Sequence, residues 1–364
     1  MASAPESRTP ELLPLTAIRG LAAWWVVLFH LRFLLAPWTA PAALAVLARG
    51  NLAVDLFFIL SGFVIAMNYG ERVGDTAGYR DFLVRRFARI YPLHLLILLG
   101  FAAYALAAAL FGTARLADQD WGYFAQSLLL VQNWGFTGEA RWNVPAWSIS
   151  TETLAYLLFP LLVALLRPER RPLWLLGAGV AALGLSVQPF FWLTGHPFPN
   201  AVAQTGLFRC LVQFAMGMAV YGLWLRMPRH PWVAPVALVA AALLAAGHIV
   251  WNAPVVPVAW AALILGLARV ARAGVLEAPA LVWLGRVSYA TYLVHYLLLT
   301  LFKLAFVTAG QPVPPALLAL YLLGVLAASA ILYHGFERPA QALLLGWWKR
   351  HRQRHREPVL APAE

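Results

Sequence analysis

The chain has 364 residues, of which 62% are hydrophobic and only 12% are charged. Soluble domains are close to half apolar and a quarter charged, so this composition excludes an ordinary soluble domain and indicates an integral membrane protein. The formal charge of +12 would suggest nucleic-acid binding in a soluble protein. Here the basic residues lie in short connections between apolar stretches, where membrane topology and anionic headgroups account for them, and we expect no nucleic-acid partner.

The cysteine content and the amino terminus exclude further features. The single cysteine, Cys210, lies in an apolar stretch, which leaves no intrachain disulfide and no cysteine-based metal cluster. Histidines and carboxylates are not grouped with metal-ligand spacing, so the sequence predicts no metal and no permanently bound cofactor. Residues 1–14 lack a basic region followed by a short apolar core and a cleavage site, and we predict no removable signal peptide.

About ten apolar stretches have the length of membrane spans, so the predicted fold is an all-α, polytopic bundle of transmembrane helices. These stretches cover 15–36, 51–69, 91–112, 145–166, 172–193, 205–226, 232–250, 254–271, 281–308 and 314–336. The connections on one side carry most of the arginines, and the opposite connections carry almost none. The positive-inside rule then puts both termini in the cytoplasm, with the protein in the plasma (inner) membrane.

The chain is expected to form one membrane domain. We assign residues 1–14 to a cytoplasmic segment, 15–340 to the transmembrane domain and 341–364 to a basic cytoplasmic tail. The long outer connection, 113–144, contains a semi-apolar piece at 121–131 that is too short to span a bilayer. It is predicted to form an interfacial or re-entrant helix, and loops of this length are more often binding elements than filler.

Two ionisable residues interrupt the first span. Arg19 and His30 are eleven positions apart, which on an α-helix puts them on one face and about 16 Å apart along the axis. Such groups are costly in hydrocarbon and normally face the bundle interior. Taken alone, the pair is as consistent with a structural role, a snorkelling arginine plus a hydrogen-bonded histidine, as with a functional one.

A carboxylate on the fourth span is the predicted partner of this histidine. Glu152 lies about 10 Å inside the outer end of its span, and His30 about 20 Å from the inner end of its own, which is the same depth in a core of roughly 30 Å. A carboxylate would fix the imidazole tautomer and raise its basicity, as a general base requires. Ser148, Ser150 and Glu152 step by two, so they do not share a helical face and are not interpreted as a triad.

An arginine pair is predicted at the cytoplasmic rim. Arg86 and Arg89 are spaced i, i+3 and project from one helical face, and Pro92 is expected to interrupt the helix just beyond them. Basic residues are common at this position for topological reasons alone. A fixed guanidinium pair also suits bidentate capture of phosphates, and we favour that role.

The remaining polar residues have structural alternatives. Asp55 is expected either to cap its helix or to pair with a cation, and Gly62, which follows Ser61, is expected to permit close helix approach. Tyr292 and His295 form one stripe with Ser288 that faces the bundle.

Several of these segments together resemble the acyltransferase-3 membrane proteins, which transfer acyl groups, usually acetyl, to hydroxyls of glycans, peptidoglycan or secreted natural products. The matching pieces run in the family's order across nearly the whole chain: Arg19 with His30, VDLFFILSGF (54–63), RRFARIYP (85–92), WSISTE with YLLFP (147–160), LGRVSYATYLVH (284–295) and FERP (336–339). Thr151 and Thr153 stand where bulkier residues are expected. We expect no fused extracytoplasmic hydrolase-like domain of the kind that some members carry, so the resemblance implies the stand-alone group that includes glycan, lipo-oligosaccharide and macrolide acylases.

The resemblance implies roles for individual residues. His30 would be the catalytic residue with Arg19 as its motif partner, Arg86 and Arg89 would bind the acyl-CoA co-substrate, and Glu152 falls on a recurrent acidic position. Six residues are expected to support the site or line its acceptor side: Asp55, Ser61, Trp147, Ser150, Tyr292 and His295.

The predicted function is transfer of an acyl group, expected to be acetyl, from acyl-CoA to a hydroxyl of a glycan or natural product. Acyl-CoA would approach from the cytoplasm, with its phosphates at the arginine rim and its arm running along the first span in one continuous path to His30. His30 would take the hydroxyl proton, or would itself carry the acyl group for a time. The competing interpretation is a proton-coupled transporter or flippase that uses an intramembrane His/Glu pair. A non-catalytic membrane scaffold is the third.

Overall fold

The structure, a computed structural model, describes residues 11–111, 119–195, 201–251, 255–308 and 310–354. Across these residues the chain forms α-helices joined by short turns, and no strand occurs in them. This confirms the predicted all-α class. The helices are α1 Leu13–Leu35, α2 Pro41–Leu47, α3 Ala53–Tyr69, α4 Thr76–Leu110, α5 Trp121–Leu128, α6 Trp147–Leu157, α7 Phe159–Leu166, α8 Leu173–Thr194, α9 Val202–Arg226, α10 Val233–Trp251, α11 Val256–Arg269, α12 Pro279–Phe306, α13 Pro315–Leu332 and α14 Arg338–Arg354.

The number of membrane spans differs from the sequence-based count. By length and composition, six helices of the described chain can cross a membrane, and the count rises to seven if α6 and α7, bent by 60°, form one broken span. Each of the ten predicted stretches falls on a helix or on this bent pair, but α8, α10 and α11 count only as shorter apolar helices. The prediction of about ten spans is therefore not confirmed.

Two pairs of parallel helices form the centre of the bundle. In α3 and α9, Asp55 contacts Gln213 and Phe63 contacts Tyr221, so equal steps along both helices bring new pairs together. In α1 and α12, Gly20 lies against Gly285, and His30 lies against His295 ten residues further along both helices. Each of these pairs therefore runs in one direction.

Glycines permit the close approach of these helices. A Cβ on Gly20 would lie 2.7 Å from the Gly285 backbone nitrogen, and a Cβ on Gly62 or Gly217 would overlap backbone atoms of the opposite helix in the α3–α9 pair. Small residues are the usual means of close packing between helices in lipid. The expected packing role of Gly62 is thus confirmed.

The outer connection agrees with its predicted form, whereas the segment around Pro92 does not. The outer connection contains α5, whose first turn is capped by Asp120 accepting from the Tyr123 backbone N–H at 2.8 Å, so the short predicted helix is present. The first part of that connection, residues 112–118, lies outside the described residues. In α4, Pro92 does not interrupt the helix, which continues to Leu110.

The helix contact at Gly217 gives a stability prediction. Gly217→Ala should lower the free energy of unfolding by about 1–3 kcal/mol, since the added methyl meets fixed backbone of α3 and cannot be accommodated by a rotamer change. Thermal unfolding in detergent measures the change. Gly324→Ala in α13 is the matched control, because no described atom lies within 4 Å of its added methyl. Equal melting temperatures for the two variants would contradict the assignment.

Candidate functional site

Arginines line a cavity in the middle of the bundle. This arginine cavity has a volume of about 190 Å³ and lies between α1, α3, α4, α6 and α12. It brings together Arg19, Arg86, Arg89 and Glu152, which the sequence placed on three different helices. Its other polar lining groups are Ser61, Ser148, Tyr156, Ser288, Tyr289 and Tyr292.

A second cavity continues from the first toward the start of α1. This arginine mouth has a volume of about 340 Å³ and shares Arg19, Arg86 and Arg89 with the arginine cavity. Arg286 and Arg338 add two further guanidinium groups. An anion that enters the mouth would therefore meet five arginines, three of which continue inward.

The acidic groups near the mouth offset part of this charge. Glu11 accepts from Arg286 Nη2 at 2.9 Å, a hydrogen bond that holds the pKa of the Glu11 carboxyl below its usual range. Glu337, in a π-helical turn between α13 and α14, is buried and forms an ion pair with Arg89. Arg89 is therefore partly neutralised within the chain.

Arg86 has unused donor capacity. Its Nη2 donates to the Tyr69 hydroxyl at 3.1 Å and its guanidinium lies 5.1 Å from the centre of that ring. Its Nε atom is buried and has no hydrogen-bond partner among the described residues. A buried guanidinium N–H without an acceptor is costly, and an anionic ligand in the cavity would supply the acceptor.

Glu152 does not pair with His30, contrary to the sequence-based prediction. The Ser61 hydroxyl donates to the Glu152 carboxylate, and Tyr156, one turn further along α6, also hydrogen-bonds it. Those contacts and the lining of the arginine cavity place Glu152 with the arginines. The predicted equal depth assumed a straight fourth span, whereas α6 and α7 meet at 60°.

His30 contacts a second histidine instead. Its Nδ1 lies 3.1 Å from His295 Nε2 and 3.0 Å from the Val26 carbonyl oxygen one turn earlier. The Tyr296 ring lies edge-on to His30, with 5.2 Å between centroids. His30 lines a separate pocket of about 160 Å³, the histidine cavity, between the C-terminal half of α1, the N-terminal end of α3 and the segment before α6.

The hydrogen bonds around the two imidazoles fix their tautomers. His295 Nδ1 lies 3.1 Å from the Thr291 carbonyl oxygen, which can only accept, so Nδ1 carries the proton of neutral His295. Its Nε2 is then an acceptor, and so is the Val26 carbonyl oxygen. His30 Nδ1, which lies between these two acceptors, therefore carries the proton of neutral His30. The Nε2 atom of neutral His30 is left with a lone pair, which is the state a general base needs.

The arginine cavity does not reach this imidazole, although the sequence predicted one continuous path. Tyr292 lines both cavities, whereas the neighbouring residues Trp147 and Ser148 line one each. The Tyr292 hydroxyl lies 2.8 Å from Ser148 Oγ and donates to the Pro145 carbonyl oxygen at 2.9 Å. A hydrogen-bonded wall therefore separates the arginines from His30.

Asp55 pairs with a cation, which decides between the two alternatives left open by the sequence. Arg209 in α9 donates through Nε and Nη2 to the two carboxylate oxygens, at 2.6 and 2.8 Å, and Gln213 donates to one of them. Asp55 and Arg209 are 0% and 1% exposed. Sequence reasoning missed Arg209, although an arginine inside an apolar span requires a counter-charge and Asp55 was available.

The two remaining predicted residues, Trp147 and Ser150, have different positions, and only Trp147 lies on the histidine side. Trp147 lines the histidine cavity, with its ring 5.8 Å from the Arg209 guanidinium. Ser150 is buried away from both cavities, where its hydroxyl accepts from the Asn133 backbone N–H at 3.1 Å and anchors the outer connection. Ser148 and Glu152 therefore share a cavity that Ser150 does not face.

Comparison with known proteins decides the family. A family model described as an acyltransferase domain matches residues 14–334. The acyltransferase MdmB of Streptomyces mycarofaciens is 33% identical, over 93% of this chain and 93% of that protein. The chain belongs to this acyltransferase family. Protein 2 in the picA locus of Rhizobium radiobacter is 39% identical to the acyltransferase over 110 residues, which are 29% of this chain and 52% of that protein. No solved structure matches the chain described here.

The buried ion pair of the acyltransferase gives a second stability prediction. Asp55→Leu or Arg209→Leu alone should destabilise the protein by about 3–5 kcal/mol, because each leaves an uncompensated buried charge. The double variant should lose clearly less than the sum of the two. Unfolding of all four proteins in denaturant gives the coupling. Additive losses would show that the two charges do not depend on each other.

Proposed function

We propose that the acyltransferase moves an acetyl group from acetyl-CoA to a hydroxyl of a glycan or a secreted natural product, with His30 as the base. The observation that carries the proposal is the continuity of the arginine mouth with the arginine cavity through Arg19, Arg86 and Arg89. Coenzyme A carries several phosphates on a long flexible arm that ends in the thioester. Clustered guanidinium groups at a mouth and a narrower cavity beyond it fit such a molecule.

The donor binds from the arginine mouth in this proposal. Arg86, with its buried unpartnered Nε, is the main phosphate ligand, and Arg19 supports it from α1. Arg89 contributes less, since Glu337 already pairs with it. Glu152 is assigned to the donor side, where its carboxylate balances the guanidinium charge. The arginine mouth faces the cytoplasm, in agreement with the positive-inside pattern and with the location of acyl-CoA pools.

The chemistry is assigned to the His30–His295 pair. The acceptor oxygen attacks the thioester carbonyl carbon while its proton passes to His30 Nε2. The carbon–sulfur bond breaks, and the thiolate of coenzyme A takes that proton from the imidazolium. His295 holds His30 in the tautomer with a free Nε2, the role first assigned to Glu152. A positioned base contributes typically about 10²–10⁴-fold to such a step.

The proposal is tested by coenzyme A release from acetyl-CoA, with the purified protein in nanodiscs and extracted envelope glycans and secreted metabolites as acceptors. His30→Ala should abolish release. Arg86→Ala should raise KM for acetyl-CoA about tenfold or more, because a charge-assisted hydrogen bond contributes about 1.5–3 kcal/mol, whereas kcat should change little. Arg167→Ala, which removes an exposed arginine outside both cavities, is the control.

Two outcomes would overturn the proposal. Movement of a solute across vesicle membranes without coenzyme A release would support the transporter, although membership of the acyltransferase family favours group transfer. Full release by His30→Ala would remove the histidine from the reaction.

His295 has a separate test. His295→Ala should lower kcat by about 10²-fold, the lower part of the range for a positioned base, without raising KM for acetyl-CoA. His295→Gln should restore part of the loss, since its amide oxygen can accept from His30 Nδ1. His94→Gln replaces another buried histidine outside both cavities and should be neutral. An equal loss of kcat in His295→Gln and His295→Ala would contradict the tautomer assignment.

A further inference from the structure

The separation of the two cavities raises a question that the proposed function does not answer. The donor thioester would arrive in the arginine cavity, whereas His30 lines the histidine cavity. The wall between the two cavities includes Tyr292, which lines both, and the first residues of α6, Trp147 and Ser148, which line one each. The acyl group can meet the base only if part of this wall moves.

Tyr292 is the side chain best placed to move. It is 7% exposed and lines both cavities, whereas Ser148 lines only the arginine cavity and Trp147 only the histidine cavity. Its ring lies edge-on to Phe57, with 5.9 Å between centroids. Movement of Trp147 would disturb its contacts with Phe58 and the buried Arg209, whereas Tyr292 needs only a side-chain rotation.

Two hydrogen bonds hold Tyr292 in the closed position. Its hydroxyl is bonded to Ser148 Oγ and to the Pro145 carbonyl oxygen, both in the segment that leads into α6. Hydrogen bonds of this kind each contribute modestly to stability. Binding of substrates can therefore shift the equilibrium from the closed to an open position.

We propose that Tyr292 is a gate that keeps the thioester away from His30 until an acceptor occupies the histidine cavity. The inference rests on the proposed function. Without the gate, a water molecule activated by His30 would attack the thioester carbonyl carbon. The carbon–sulfur bond would break, the water proton would pass through His30 to the thiolate, and acetate with free coenzyme A would result. Tyr292 thus decides whether water or the acceptor receives the acyl group, and it acts as a positioning residue.

The experiment measures coenzyme A release from acetyl-CoA with no acceptor present, so the acceptor need not be known. Tyr292→Ala should raise acceptor-free release about tenfold, a small part of the 10²–10⁴-fold that a base can supply. Tyr292→Phe keeps the ring and loses both hydrogen bonds, and it should give a smaller rise. Addition of His30→Ala to either variant should return release to the background. Tyr79→Phe removes a tyrosine hydroxyl bonded to the Leu157 carbonyl outside both cavities and is the matched control.

The outcomes separate the gate from the proposed function. If the wild type releases coenzyme A in a His30-dependent way with acceptors but neither Tyr292 variant leaks, the gate is wrong and the function stands. If the leak persists after His30→Ala, the wall does not separate the thioester from the base, which also overturns the gate. If no protein shows His30-dependent release, the proposed function itself fails. Should Tyr292→Ala melt at a markedly lower temperature, Tyr292→Phe decides the question alone.

Discussion

The parallel contact of α1 with α12 is the constraint on which the rest of the site depends. Gly20 and Gly285 lie in backbone contact near the arginine end, and the same register brings His30 to His295 three turns later. A side chain at either glycine would push the helices apart. A separation of even 1 Å would take the two imidazole nitrogens beyond hydrogen-bond distance. The contact of the proposed base with His295 is therefore set by a glycine contact about 15 Å away along the helix.

The electrostatic organisation follows from the cost of charge in hydrocarbon. On one side of the wall, positive charge is in excess and only partly balanced by Glu11, Glu152 and Glu337. On the other side, Arg209 is neutralised by Asp55, and the two histidines satisfy one another without an ionised partner. Excess positive charge suits an anionic donor. A neutral, mostly apolar pocket suits an uncharged hydroxyl compound, and the imidazole that lines it is the base of the proposed reaction.

Much of the fold and part of the site follow from the sequence. Each apolar stretch lies on a helix or on the bent pair, because in lipid and in the bundle interior the backbone N–H and C=O groups must be satisfied within the segment, however the helices pack. Helical spacing placed Arg86 and Arg89 on one face, and the structure brings both to one cavity with Arg19. The partner of His30 was predicted wrongly, since depth along a span gives no information on which face of a helix meets which neighbour. The bend between α6 and α7 and the register of α1 on α12 decided that Glu152 faces the arginines and His295 faces His30. Arg209 was predictable in principle, as the natural counter-charge of Asp55.

The shared direction of α3 and α9 limits how the chain can thread the bilayer. Two helices that run the same way require an odd number of crossings between them, and α4 supplies one. The bent pair α6–α7 and the short helix α8 must then either both traverse the membrane or both return to the side they came from. Arg19 shares a cavity with Ser61 and His30 shares one with Val54, so α1 and α3 run in opposite directions. Their parallel partners α12 and α9 then also run oppositely, and the same parity makes α10 and α11 traverse together or not at all. Whether one short helix crosses the membrane therefore determines whether its partner does: α8 is linked to the bent pair α6–α7, and α10 to α11. A topology reporter fused after one member of such a pair determines the crossing of both.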